Sequence, residues 1–379
     1  MISTSRNSGF TLVELITAMG VTAVLSALML GLASQLLSIW RRETGVLSTR
    51  AQADLVFEQL SRDLEALVMR RDGNVWFAAT VQPSPQIGRG DSTMSDAEWE
   101  GRVKPGNELP GTPGSSLSLE PTSGSLADMR FGQAGVWLRF FSIVPDTQTS
   151  LSNLSAPRAV AYQLVRRRVT ASASARGRAT APFRYTLYRS SARPMSPSWP
   201  DENSTFAVGY DLFSAASNPH YNRGDSSVID HVGNIRAPRR YEQILGNNVI
   251  DFGVRCWGRD STGRWSPLFP APSISRSGTL GLGFAATTRD GLHREYAIPP
   301  SSGTSTPLSA EAIRYGFPEQ VDIFIRILTE EGAQKIEAFE TGRIVSPFGE
   351  GTDAEAWWRI ALQHSHVFVH TVRVQAQPF

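Results

Sequence analysis

Between Phe10 and Trp40 the chain carries one charged side chain, Glu14, in an otherwise largely apolar run. A carboxylate near a membrane costs several kcal/mol unless a cation meets it, so Glu14 calls for a partner. Ahead of it, Met1 to Gly9 are short and polar, with one charged residue, Arg6. The other reactive side chains offer less. Cys256 is the single cysteine, so it makes no internal disulfide and no thiolate metal site alone; it falls in a strand-like run and reads as a small buried residue. His364, His366 and His370 share a parity that puts them on one face of a strand, where imidazoles can converge on a metal. Phe368 lies between them on that face and no nearby carboxylate completes the set, so a polar surface is expected.

Catalytic signatures are missing. There is no Gly-x-Ser-x-Gly elbow, no His-Glu-x-x-His helix and no Gly-x-x-x-x-Gly-Lys loop. Gly281-x-Gly283 lacks a third glycine and reads as a turn. Glu330 and Glu331, like Asp201 and Glu202, point apart if extended, and Asp211, Asp225, Asp230 and Asp260 are too scattered for a calcium site. The expectation is no enzyme, no catalytic residue, no cofactor and no metal.

The element that positions Glu14 is a helix. Leu15 to Trp40 is long enough to cross a bilayer core at about 1.5 Å per residue. Ala53, Leu55, Val56, Phe57, Leu60, Leu64, Leu67 and Val68 then recur at three- and four-residue steps between charged residues, an amphipathic pattern. No proline falls between Phe10 and Arg71, so one helix of roughly 60 residues is expected, with Gly20, Gly31 and Gly45 as weak points. Its second half is expected to lie on the chain's own sheet rather than in a coiled coil. A secretory signal fits poorly, because the candidate cleavage site precedes the apolar run rather than following it. A plain anchor explains the run but not Glu14. Arg41 and Arg42 follow the run on the expected outer side, against the positive-inside tendency.

Strands are expected at 136–144, 159–169 and 183–189 (the last two a hairpin), at 248–257, 320–329 and 366–375, and helices at 332–343 and 354–363. Residues 82–130 and 192–240 are rich in turn residues and read as loops, as does the linker 170–181. Arg166-Arg167-Arg168 reads as a solvated strand end rather than a polyanion contact. One long helix followed by strands gives an α+β fold, the helix laid on antiparallel sheet with long loop insertions.

Gly9-Phe10-Thr11-Leu12-Val13-Glu14-Leu15 resembles the type IV prepilin cleavage and methylation motif. The resemblance implies that prepilin peptidase cuts between Gly9 and Phe10, that Phe10 is N-methylated, and that Glu14 pairs with the N-terminal ammonium of a neighbouring subunit. It implies a leader at 1–9, a transmembrane and assembly helix at 10–40, an amphipathic stalk at 41–72 and a periplasmic β-rich pilin-like domain at 73–379. The implied location is the bacterial inner membrane, crossed once, with partners among other pilins or pseudopilins. Looser patches at 249–257, 263–265 and 318–323 resemble minor pseudopilins of the J type in type II secretion, or W-type minor pilins. Insertion-bearing, Arg-rich proteins of this sort also occur as paralogue cassettes in Verrucomicrobia-like bacteria. On this reading the chain primes or caps a pseudopilus or pilus. The alternative is a tip-displayed adhesin or substrate receptor, with Trp99, Trp199, Trp357 and Trp358 as carbohydrate-type contacts.

Composition agrees with a folded chain: 379 residues, 41% hydrophobic and 19% charged. The net charge of +2 supplies no global field for nucleic acid, and none is expected as a partner.

Overall fold

The computed structural model describes residues 11–69, 76–81, 104, 131, 135–143, 157–168, 182–192, 244–259, 263–269, 295–298, 317–345, 352–375 and 377–378. The expectations for Gly9 and Phe10, for the linker 170–181, for the acids at 201, 202, 211, 225, 230 and 260, for Trp99 and Trp199, and for Gly281 and Gly283 lie outside them. The chain divides into two units, one running to Ser48 and the other Thr49–Phe379.

Helix α1 spans Leu12–Glu65 without a break through its three glycines. Leucine, alanine and charged residues of good propensity fill it, and proline is absent. It stops short of the expected end. Leu67 forms a bridge to Ser142, and Val68–Met69 make a short strand, β1. Burial of Leu67 and Val68 against the sheet outweighs the helical pattern they continue.

The described strands after β1 are β2 (Phe77–Val81), β3 (Val136–Ser142), β4 (Arg158–Arg168), β5 (Phe183–Ala192), β6 (Ile244–Asn247), β7 (Val249–Arg259), β8 (Trp265–Phe269), β9 (Glu295–Ile298), β10 (Gln320–Leu328), β11 (Ser365–Arg373) and β12 (Gln377–Pro378). They form a six-stranded sheet in the order β6-β5-β4-β3-β2-β9 and a four-stranded sheet in the order β11-β10-β7-β8. Every pairing within those two sheets is antiparallel. β1 and β12 pair in parallel, Val68 opposite Gln377. The expected hairpin is present as β4 and β5, in register from Ala159 opposite Ala192 to Arg168 opposite Phe183. The fold is therefore α+β, a long N-terminal helix followed by antiparallel sheets.

The chain passes from one sheet to the other at a single residue. β6 lies in the first and β7 in the second, and Asn248 between them has φ 58°. Asparagine tolerates that left-handed turn better than branched residues do. Its side-chain amide also donates to Glu330 at 3.1 Å, and its carbonyl accepts from the Leu328 N–H at 2.8 Å.

Two apolar clusters result. The larger joins Ala53, Val56, Phe57, Leu60 and Leu64 of α1 to residues of both sheets, including Tyr162, Phe252, Cys256 and Ile323. The expected alternation of Val321, Ile323, Ile325 and Ile327 faces this core. Leu55, expected in the apolar stripe, is instead 61% exposed, while Asp63 from the expected polar face is buried. The second cluster lies beneath helices α2 (Glu330–Glu340) and α3 (Asp353–Gln363), where Ile336, Phe339, Trp357 and Trp358 meet Val165, Tyr185 and Ile250. Each helix starts at a threonine cap. Thr329 accepts from Gly332 N–H, and Thr352 forms a reciprocal capping box with Glu355. Glu330 and Glu331, expected in extended chain, form the first turn of α2, where acids complement the helix dipole.

One loop expectation is corrected by burial. Lys104, inside the segment 82–130 assigned to loop, is fully buried and its ammonium donates to the equally buried Asp251 at 3.1 Å. Its own N–H donates to the Tyr185 hydroxyl at 2.9 Å. Glu295–Ile298, outside every expected strand, form β9.

Candidate assembly site

Thr11 sits just ahead of α1 and Glu14 occupies its first turn. The Thr11 N–H and hydroxyl both donate to Glu14 Oε2 at 2.9 Å. The Glu14 N–H donates back to the Thr11 hydroxyl at 3.3 Å. This is a capping box: two helix-end groups are satisfied by a Thr-x-x-Glu spacing. The carboxylate also faces the positive end of the helix dipole. Sequence reasoning assigned Glu14 to a neighbour's ammonium and missed Thr11, although the Thr-x-x-Glu spacing was there to be read. Within one chain Glu14 thus has a local role, and Oε2 accepts both Thr11 bonds.

From Leu12 to Trp40 the apolar side chains stand exposed, among them Leu15, Leu25, Leu28, Leu36 and Trp40. The helix is long and apolar enough, by length and composition, to cross a membrane. Such a surface needs lipid or other helices around it. Thr17 and Thr22 fold their hydroxyls back to Val13 and Ala18 carbonyls, at 2.9 and 2.7 Å, which removes their need for water.

Beyond Thr49 the helix is fastened to the sheet by a buried charge. Arg189 Nε and Nη2 donate to Asp63 Oδ2 and Oδ1 at 2.6 and 2.8 Å. The Tyr162 hydroxyl donates to the same carboxylate, and Gln59 adds a bond at 3.1 Å. Ser142 donates to the Asp63 carbonyl at 2.9 Å. Burial and the adjacent Asp63 charge push the Tyr162 phenol well above its ordinary range. Burial alone would lower the Arg189 guanidinium, but its bonds to Asp63 and that charge carry it upward. Helix α1 is thereby tied at one point to β3, β4 and β5. Sequence placed Asp63 on a wet face because spacing cannot show a partner 126 residues away.

The remaining candidates resolve as follows. Cys256 is buried, and burial raises its thiol far above the reactive range. His364 caps the end of α3 and accepts from Lys335 at 3.0 Å; burial first, then the lysine charge, lowers it below 6.5. His370 stacks on Phe57 at 5.1 Å and meets Ser61 at 3.1 Å. Among the described residues no three histidine, cysteine or acidic side chains converge on a metal position. Arg166, expected at a solvated strand end, is buried and clamps Glu340 through Nε and Nη2 at 3.0 and 2.8 Å. Trp357 and Trp358, ligand contacts only in the alternative adhesin reading, are core residues, as aromatics more often are, and the Trp357 indole donates to Glu340 at 3.0 Å. The apolar cluster these two indoles fill is assembled from β4, β5, β7 and α2.

Comparison with known proteins bears on the N-terminus. The prokaryotic N-terminal methylation motif matches residues 4–30. No curated protein and no solved structure matches the chain. The match covers residues 4–9 of the polar N-terminal stretch, Glu14, and the exposed part of α1 as far as Leu30. Set on a long helix followed by antiparallel sheets, this prepilin-type motif supports a type IV pilin-like protein.

Proposed function

We propose that this chain is a minor pilin or pseudopilin that primes or caps a type II secretion pseudopilus or a type IV pilus. Residues 1–9 are its leader, 10–40 its single span of the bacterial inner membrane, 41–72 its stalk, and 73–379 its periplasmic domain. Prepilin peptidase removes the leader between Gly9 and Phe10, and Phe10 is then N-methylated. The observation that carries this reading is the methylation-motif match on a helix whose first half is apolar and exposed, with Glu14 as its one charge before Trp40.

Glu14 exchanges partners during assembly. In the lone chain its Oε2 closes the Thr11 capping box. In a bundle the carboxylate takes the Phe10 ammonium of a neighbouring pilin or pseudopilin, which offsets the cost of burying it. The local bonds keep the group satisfied before the neighbour arrives, and the pairing fixes the axial register of packed helices. The chain acts as a structural subunit, without cofactor or catalytic role.

Two substitutions separate the capping role from the pairing role. Glutamine at position 14 preserves a capping box but removes the charge. In cells carrying the whole assembly machinery, Glu14→Gln and Glu14→Val are both expected to be cleaved yet absent from cross-linked complexes with neighbouring pilins. Normal incorporation of Glu14→Gln would show that the charge has no part in assembly.

A further inference from the structure

The outer face of the four-stranded sheet carries an aromatic ledge that the assembly reading does not use. Trp265 on β8 is 47% exposed. Trp257 on β7 lies parallel beside it, with ring centroids 6.4 Å apart and planes 4° from coplanar. Behind the pair, Asp322 fixes Trp257. Its Oδ2 accepts from the Trp257 indole at 2.7 Å, while Oδ1 accepts from Gln320 and from Thr371, each at 2.8 Å. The ledge is therefore held in place by a carboxylate whose bonds come from three strands.

The register shows what surrounds it. Trp257 stands opposite Gln320, and Gln320 opposite Arg373, so the three residues share one cross-strand row of β7, β10 and β11. Arg259, opposite Trp265, reaches Glu319 at 3.4 Å at the near end. From Trp257 on β7 to Arg373 on β11 the row covers two strand spacings, about 10 Å, and Trp265 on β8 stands one strand beyond it. At the other end of this face Phe131 covers the sheet, packing on Phe324 with centroids 5.6 Å apart and leaving no room for a side chain at Gly253.

We propose that this row is a saccharide-binding site with Trp265 as its platform, taking the pyranose rings of a β-linked glycan. The face of an indole is electron-rich and attracts the C–H bonds on the flat side of a sugar ring. Planar amide and guanidinium groups alongside suit its hydroxyls. A protein interface of ordinary size has an apolar centre inside a polar rim. Here a single pair of stacked indoles stands among charged and amide groups, which favours a small polyhydroxylated ligand over a protein. The inference is independent of Glu14: a chain unable to assemble retains the site.

The test uses the full chain in a detergent without a sugar headgroup, with chitohexaose and cellohexaose as probes. Saturation-transfer NMR is expected to show contact with at least one probe, and calorimetry to give its affinity. Trp265→Ala should weaken binding about tenfold or more, and Trp265→Phe should retain part of it. Near-ultraviolet circular dichroism checks the fold of each variant. If Trp265→Ala proves unstable, Arg373→Ala at the far end of the row gives the second reading, with a several-fold loss expected. Absence of transfer from both probes, or wild-type affinity in a folded Trp265→Ala chain, overturns the proposal.

Discussion

Glu14 and Asp63 are carboxylates on one helix whose partners differ in kind. Glu14 bonds within its own turn, to Thr11, so its geometry is set by three residues of sequence. Asp63 bonds to Tyr162 and Arg189, residues far along the chain, and is wholly buried. Removing a buried partner strands the other charge, and such losses run to about 3–5 kcal/mol. Asp63→Ala is therefore expected to cost about 3 kcal/mol in denaturant unfolding of the full chain in detergent. Asp63→Asn should cost less, since it keeps hydrogen bonds to Arg189 and Tyr162. Equal stability of wild type and Asp63→Ala would show that the cluster does not hold the helix. Asn248 gives a second residue-scale test. With φ 58° it marks the switch between sheets, so Asn248→Gly should be nearly neutral in backbone strain. Asn248→Val should lose about 1–3 kcal/mol, read from the shift in unfolding midpoint.

At the scale of elements, the strands that were legible were those with their pattern written locally. Residues 320–329 alternate apolar and polar, and 249–257 run apolar between turn residues; both are strands of the four-stranded sheet. Helix α1 was legible for the same reason, from its length, missing proline and repeat of apolar residues. Six of the described strands escaped, among them the two-residue β1 and β12 and the five-residue β8. β2, β6 and β9 are 5, 4 and 4 residues long, and their pairing energy comes from neighbours distant in sequence. Within β6, a Cβ at Gly246 would lie 3.1 Å from Val249 and 3.3 Å from Val56 of α1, so glycine lets the strand pack closely on the helix. The end of α1 was overestimated by several residues because Leu67 and Val68 keep the helical spacing while pairing as strand. The candidate site split the same way. Glu14 was visible as an isolated charge, whereas Trp265 was seen only as part of a loose family patch. The exposure of Trp265 and its stacking on Trp257 depend on the register of β7 with β8.

On the scale of the whole molecule, stability should fall in alkali. Tyr162 and Tyr185 are both buried beside carboxylates, and burial with those charges holds each phenol well above the ordinary 10.0. Cys256 is likewise raised by burial above its ordinary 9.0. In the unfolded chain these three groups lose protons that the folded chain retains, so the unfolded state binds fewer protons as pH rises. Their contribution is present below pH 9 and is lost progressively above 9 to 10, as the unfolded groups ionise. Unfolding midpoints of the full chain should therefore drop between pH 9 and 11, and the double change Tyr162→Phe, Tyr185→Phe should flatten that slope. A slope unchanged in the double variant would contradict the burial argument. The central claim concerns how the molecule enters its membrane assembly, and the mass of its N-terminus tests that most directly. The full chain is co-expressed with a prepilin peptidase, purified from membranes and digested for mass spectrometry. The account predicts a first peptide that begins at Phe10 and carries one added methyl group, with Met1 to Gly9 gone. A chain that retains Met1 to Gly9, or that is cut at another bond, would contradict it.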